Sequence, residues 1–105
     1  LTYDNLQKIM AKLHSKNIQT LLIGHLAPLN YGKDYKKNYD QVFQQIAIEN
    51  DTEFYPYFFE ALVAIGEVVP NMQLYFQADG LHPNAAGVEA LVSDIGPYVL
   101  RALDK

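Results

Sequence analysis

Ile18-Gln19-Thr20-Leu21-Leu22-Ile23-Gly24 is the stretch whose reading decides the fold. It is short, apolar and rich in branched residues, with no strict alternation. Such a run reads as a strand buried on both faces, the kind found in parallel sheets. Upstream, Thr2 to Lys16 has helical periodicity. Leu6, Ile9, Met10 and Leu13 fall at i, i+3, i+4 and i+7 and form one stripe. Asn17 is a plausible stop, because asparagine tolerates the left-handed conformation that ends many helices. Downstream, His25 to Lys33 carries Pro28, Asn30 and Gly32, which is loop chemistry.

A second helix is expected over Tyr35 to Asn50, with Tyr39, Val42, Phe43 and Ile46 on one face. Glu53 to Phe58 reads as a second strand. Pro56 puts it at an edge or ends it early, since proline cannot donate to a ladder. Phe59 to Pro70 is expected to hold a short helix, and Asn71 to Leu81 to be mostly loop. Asn84 to Leu103 reads as the last helix, with Val88, Leu91, Val92, Ile95 and Val99 facing in. Gly96-Pro97 should kink it, because Pro97 has no N–H for the carbonyl four residues back. Helices alternating with strands predict an α/β fold with a parallel sheet. Two strands make a poor sheet of that kind, so residues 1–105 read as the C-terminal part of one doubly wound domain.

Composition narrows the function. The chain has 105 residues, half of them hydrophobic and 19% charged, a globular composition. Eight basic against 12 acidic residues give a net charge of −4, which argues against a nucleic-acid partner. No run of 18 apolar residues is present, so no membrane span is expected. With no cysteine there is neither a disulfide framework nor a cysteine zinc site. The chain opens on Leu1 rather than methionine and reads as a processed product or a fragment.

The sharpest chemical feature is Asp79-Gly80-Leu81-His82-Pro83-Asn84-Ala85-Ala86-Gly87. Asp-Gly turns the chain, Pro83 suits a first helical turn and Asn84 is an alternative cap. A catalytic histidine needs a partner on its Nδ1–H, and Asp79 is near enough in sequence to be one. Spacing alone also admits a plain turn, cap and surface histidine, the blander reading and the commoner one. It admits half of a metal site as well, although no clear cluster completes the ligand set.

The block from Ala78 to Gly87 resembles the last motif of the SGNH hydrolases, also called GDSL-type esterases and lipases. The likeness is closest to their arylesterase and thioesterase I branch. Gly24-His25-Leu26-Ala27-Pro28-Leu29-Asn30-Tyr31-Gly32 with Asp34-Tyr35 resembles the loop after that branch's fourth strand. Phe54-Tyr55-Pro56-Tyr57-Phe58-Phe59 resembles its fifth, and the Asn5-Leu6 helix the one after its third block.

The resemblance implies a flavodoxin-like three-layer α/β/α fold, of which this chain supplies the C-terminal half with about two strands and three or more helices. It implies hydrolysis of small acyl or aryl esters or thioesters, with Asp79 and His82 as two members of a Ser–His–Asp triad and no cofactor or metal. The family's serine and oxyanion-hole blocks are not found in this sequence. Ser15 and Ser93, its only serines, lack the flanking turn and read as structural. A periplasmic or secreted location is compatible with the resemblance.

His25 stands where the branch usually has an apolar residue and reads as loop-capping, with a substrate-facing role as the alternative. His14 reads as a surface histidine. Tyr55, Tyr57, Phe58, Phe59, Tyr75 and Phe76 read first as core and second as the wall of an acyl or aryl pocket, joined by Pro28 and Leu29. The expected partners are the substrate and either the N-terminal half of the domain or another copy of the chain. The alternative to a hydrolase half is a non-catalytic, self-associating α/β module with an open sheet edge.

Overall fold

The computed structural model describes residues 1–27, 29–66 and 72–104. Helix α1 (Thr2–Ser15) leads into strand β1 (Leu21–Ile23). A 3-10 turn (Leu29–Tyr31) precedes helix α2 (Lys33–Glu49), strand β2 (Glu53–Tyr55) and helix α3 (Glu60–Gly66). A second 3-10 turn (Met72–Tyr75) precedes the long helix α4 (Ala85–Leu103). The two strands pair in parallel, Leu21 with Glu53, Leu22 with Phe54 and Ile23 with Tyr55.

Pleating sorts the layers. Successive side chains of a strand point to opposite faces. Glu53 accepts a hydrogen bond from Arg101 at 2.8 Å, and the Tyr55 hydroxyl donates to Asp94, so both face α4. Phe54 points the other way, beside Gln44, Ala47 and Ile48 of α2. The sheet therefore lies between α2, with α1 packed on it, and α4, with α3 packed on it. Two residues forward along β2 correspond to seven backward along α4. The helix thus runs antiparallel to the strand, and its N-terminus stands at the strand's carboxyl end.

Both helix-to-strand turns use the same device. Asn17 and Asp51 adopt the left-handed conformation (φ 56° and 48°). The next amide of each turn reaches back into the last helical turn, Ile18 to the Leu13 carbonyl (3.0 Å) and Thr52 to that of Ala47 (2.9 Å). This is the Schellman stop, and it confirms Asn17 as the end of α1. Met10, Ile46 and Tyr55 are the largest fully buried side chains. Burial raises the Tyr55 pKa, and the Asp94 carboxylate beside its hydroxyl adds to the effect.

Some expectations hold and others change. The strand expected over Ile18–Gly24 contracts to Leu21–Ile23, and its residues are half-buried instead of enclosed. It pairs with β2 on one side and has no partner strand on the other among the described residues. The second strand stops at Tyr55, before Pro56. Leu91 of α4 is buried, but Val88, Val92 and Val99 are 48%, 59% and 41% exposed. They lie on a flank of the apolar arc that no other described element covers. Pro97 lies inside α4, which runs to Leu103 as expected. Short helix α3 falls within Phe59–Pro70 as expected, while 67–70 lie outside the described residues.

Candidate active site

The Asp79–His82 loop is closed by its own residues. The Gly80 N–H donates to the Gln77 carbonyl (2.9 Å), and Gly80 supplies the positive φ of +68° that the turn requires. One Asp79 carboxylate oxygen, Oδ1, accepts the Leu81 and His82 amides at 2.9 and 3.1 Å. This Asx turn fixes the carboxyl plane. The other oxygen, Oδ2, lies 2.5 Å from His82 Nδ1. The carboxylate on Nδ1 is the arrangement expected of a catalytic pair.

The His82 hydrogen bond, with the Leu81 and His82 amides behind it, pushes the Asp79 pKa down to about 2. The carboxylate is therefore ionised throughout the neutral range. It holds Nδ1 protonated and leaves Nε2 as the basic nitrogen. The His82 side chain is 70% exposed, so the ring is reachable from outside. His82 precedes the N-terminus of α4 and so stands beyond the carboxyl end of β2. In open α/β sheets ligands bind at that end.

Asn84 is the N-cap of α4, its Oδ1 accepting from the Gly87 N–H at 3.0 Å. Pro83 lies outside the helix, paired with Phe76 in an isolated antiparallel bridge. The Asn84 amide also donates to the Leu74 and Phe76 carbonyls (2.8 and 3.2 Å), a bracing role that sequence reasoning missed. The asparagine within the motif is the available signal, but its partners come from a segment with no helical or strand periodicity.

Of the aromatic residues, Tyr57, Phe59 and Phe76 line an apolar groove of about 400 Å³, together with Leu62, Val63 and Leu81. Leu81 lies inside the Asp79–His82 loop, so groove and pair share a wall. Tyr55 belongs to the core instead, packed edge-on against Tyr98. Pro28 lies outside the described residues, and Leu29 begins a 3-10 turn in the loop after β1.

That loop is tied to α2. The Ala27 N–H donates to Asp40 (2.7 Å), and Lys36 Nζ donates to Asp40 (2.6 Å) and to the Ala27 carbonyl (3.0 Å). Burial raises the Asp40 pKa, but Lys36 and the Ala27 amide outweigh it and hold the carboxyl below its usual range. His25 Nδ1 lies 3.1 Å from the Tyr39 hydroxyl, a tether that fits the loop-capping expectation.

Ser15 bonds its own helix at the Lys12 carbonyl (2.7 Å), just before β1 begins, at the amino end of the sheet. Ser93 is exposed midway along α4. Neither is brought to His82. Among the described residues no three His, Cys, Asp or Glu side chains gather as metal ligands would. Among them, too, no helix is long and apolar enough to cross a membrane.

Comparison with known proteins shows what the chain is similar to. Esterase TesA of Pseudomonas aeruginosa is 30% identical over 94 residues, which are 90% of this chain and 43% of TesA. Thioesterase 1/protease 1/lysophospholipase L1 of Escherichia coli K12 is 31% identical over 83 residues, 79% of this chain and 36% of that protein. In sequence and fold the chain is similar to the C-terminal part of SGNH hydrolases. The TesA crystal structure superposes with a TM-score of 0.70 at 29% identity, covering 95% of this chain and 52% of that one. AlinE4, an SGNH-hydrolase family esterase, gives 0.57 at 34% identity, covering 96% and 50%. No protein-family model matches the chain. It spans less than half the length of the curated relatives it matches.

Proposed function

We propose that this chain supplies the acid–base half of a serine ester or thioester hydrolase. The observation that carries the proposal is the 2.5 Å contact between Asp79 Oδ2 and His82 Nδ1, with Oδ1 pinned by two backbone amides. His82 Nε2 takes the hydroxyl proton of a serine from outside these 105 residues as that oxygen attacks the substrate's carbonyl carbon. The same proton passes to the departing alkoxide or thiolate, leaving an acyl-serine. Water then attacks the acyl carbon, with His82 accepting its proton and returning it to the serine. Asp79 keeps its negative charge beside the imidazolium in each half-reaction.

The serine and the oxyanion donors belong to a complementary N-terminal half. This chain alone is expected to be inactive. The Tyr57–Phe59–Phe76 groove receives the acyl or aryl group, and Pro28 and Leu29 are further proposed contacts of that group. A second reading, a self-associating module without catalysis, is favoured by the outer edge of β1, which has no partner strand among the described residues. It predicts a stable homo-oligomer indifferent to any complement.

Co-expression with the N-terminal half of P. aeruginosa TesA tests the two. The hydrolase reading expects turnover of a short p-nitrophenyl ester by the pair, by neither half alone, and by no pair carrying His82→Ala. A tight, folded pair without turnover, or turnover that survives His82→Ala, contradicts it.

A further inference from the structure

The Asp79–His82 loop hangs from a short ladder. The Gln77 N–H donates to the His82 carbonyl at 2.7 Å, and the Asn84 N–H donates to the Tyr75 carbonyl at 3.0 Å. Phe76 and Pro83 sit opposite each other between those two bonds. In an antiparallel ladder, such a pair exchanges no bonds of its own. Pro83 thus occupies the position where its missing N–H leaves no gap.

For the same reason the Phe76 carbonyl turns out of the ladder and needs another donor. Asn84 Nδ2 provides it at 3.2 Å and reaches the Leu74 carbonyl at 2.8 Å. Asn84 Oδ1 meanwhile caps α4 at Gly87. Gly87 shows how tightly this joint is packed, since a Cβ there would lie 2.2 Å from the Tyr75 carbonyl oxygen. One side chain therefore ties the 74–76 segment to the start of α4, two residues from the imidazole. Capping alone does not call for this, because serine or aspartate caps as well as asparagine. Only a carboxamide carries an acceptor for the cap together with an NH2 for two carbonyls.

We infer that Asn84 is the positioning residue of the acid–base pair. By holding the 74–76 segment on the helix start it fixes the Gln77–His82 rung, and the rung aims His82 Nδ1 at Asp79 Oδ2. This rests on the hydrolase reading for its purpose, but its test does not depend on turnover.

Asn84→Ser retains a cap and removes the double donor. In the 105-residue chain with ¹⁵N-labelled histidine rings, the share of His82 protonated on Nδ1 should fall. The Gln77 amide should exchange with solvent about tenfold faster, as expected when a single supporting hydrogen bond is lost. The Leu91 amide, in the middle of α4, should keep its wild-type rate. His82 ring signals and Gln77 exchange identical to wild type would overturn the assignment. So would equal acceleration at Gln77 and Leu91, which would make Asn84 a residue of the fold and not of the site.

Where Asn84→Ser does not fold, Asn84→Asp, an equally good cap, is read by the same signals. Failure of both to fold also overturns the assignment, since cap-preserving changes would then act on the whole chain. If the signals change as expected while the complemented pair is inactive, the Asn84 assignment stands and the hydrolase reading falls.

Discussion

From Gln77 to Asn84 the backbone turns are closed by neighbours in sequence. Asp79 alone binds two amides and an imidazole, and Asn84 binds two carbonyls and an amide. Along Leu21–Ile23 and the outer flank of α4 the reverse holds. β1 offers one edge with no strand beside it among the described residues, and Val88, Val92 and Val99 stand exposed on the helix. The first region is local and closed, while the second is apolar and lacks a cover among the described residues. A loop of this kind acquires its geometry from a dozen residues, whereas a sheet edge is satisfied only by another strand. The difference separates what this chain can position from what it must borrow.

The largest expected effect breaks the closed region. Asp79→Asn in the complemented pair keeps the loop's shape but no longer stabilises the imidazolium. It should lower kcat by about 10⁴-fold, as removal of an orienting carboxylate does, with KM little changed. Steady-state kinetics on a short aryl ester check this.

Next, two adjacent residues of α4 contrast the covered and uncovered flanks. Leu91→Ala should destabilise the chain by about 2–5 kcal/mol through the cavity it leaves. Val92→Ala should cost under about 0.5 kcal/mol in the chain alone. Denaturant titration of the pair with its complement should then show the Val92 cost rise, as that flank gains a neighbour.

Oligomeric state reports on the open edge directly. The chain alone should sediment as more than a monomer at micromolar concentration. Val92→Lys with Val99→Lys should shift it toward monomer by charging the exposed flank. A stable, cooperatively folding monomer of the unmutated chain would remove the argument from the open edge.

The smallest effect is in pH. Asp79 has its pKa lowered when folded, so the stability it contributes is present above the ordinary aspartate value. That contribution is lost as pH falls from about 4 towards about 2. The sign follows from the unfolded state binding the proton first. Carboxyl ¹³C shifts should show Asp79 ionised at pH 3, and a midpoint near the ordinary value would contradict the hydrogen-bond geometry.

Much of this was legible in the sequence because the governing interactions are short-ranged. The periodicity of Leu6, Ile9, Met10 and Leu13 marks α1, and Asn17 marks its end. Asp79 and His82 are three residues apart, so one turn brings them together. What was not legible depends on distant neighbours. Leu21–Ile23 looks enclosed on both faces because its side chains are apolar, but composition does not report how fully the neighbouring helices cover them. Val88, Val92 and Val99 lie in the same apolar arc as Leu91 and Ile95, and only the placement of β2 and α3 divides the arc into covered and open parts. The bracing by Asn84 escaped for a similar reason, since the Leu74 and Phe76 carbonyls come from a segment with no periodic signature.

In the proposed function His82, held by Asp79, activates a serine that this chain does not carry. The direct measurement is the rate at which a fluorophosphonate labels the serine of the complementary half. Labelling should be fast in the presence of the 105-residue chain and slow in its absence or with His82→Ala. Labelling that proceeds equally fast with His82→Ala, or that falls on Ser15 or Ser93 of the chain alone, would contradict it.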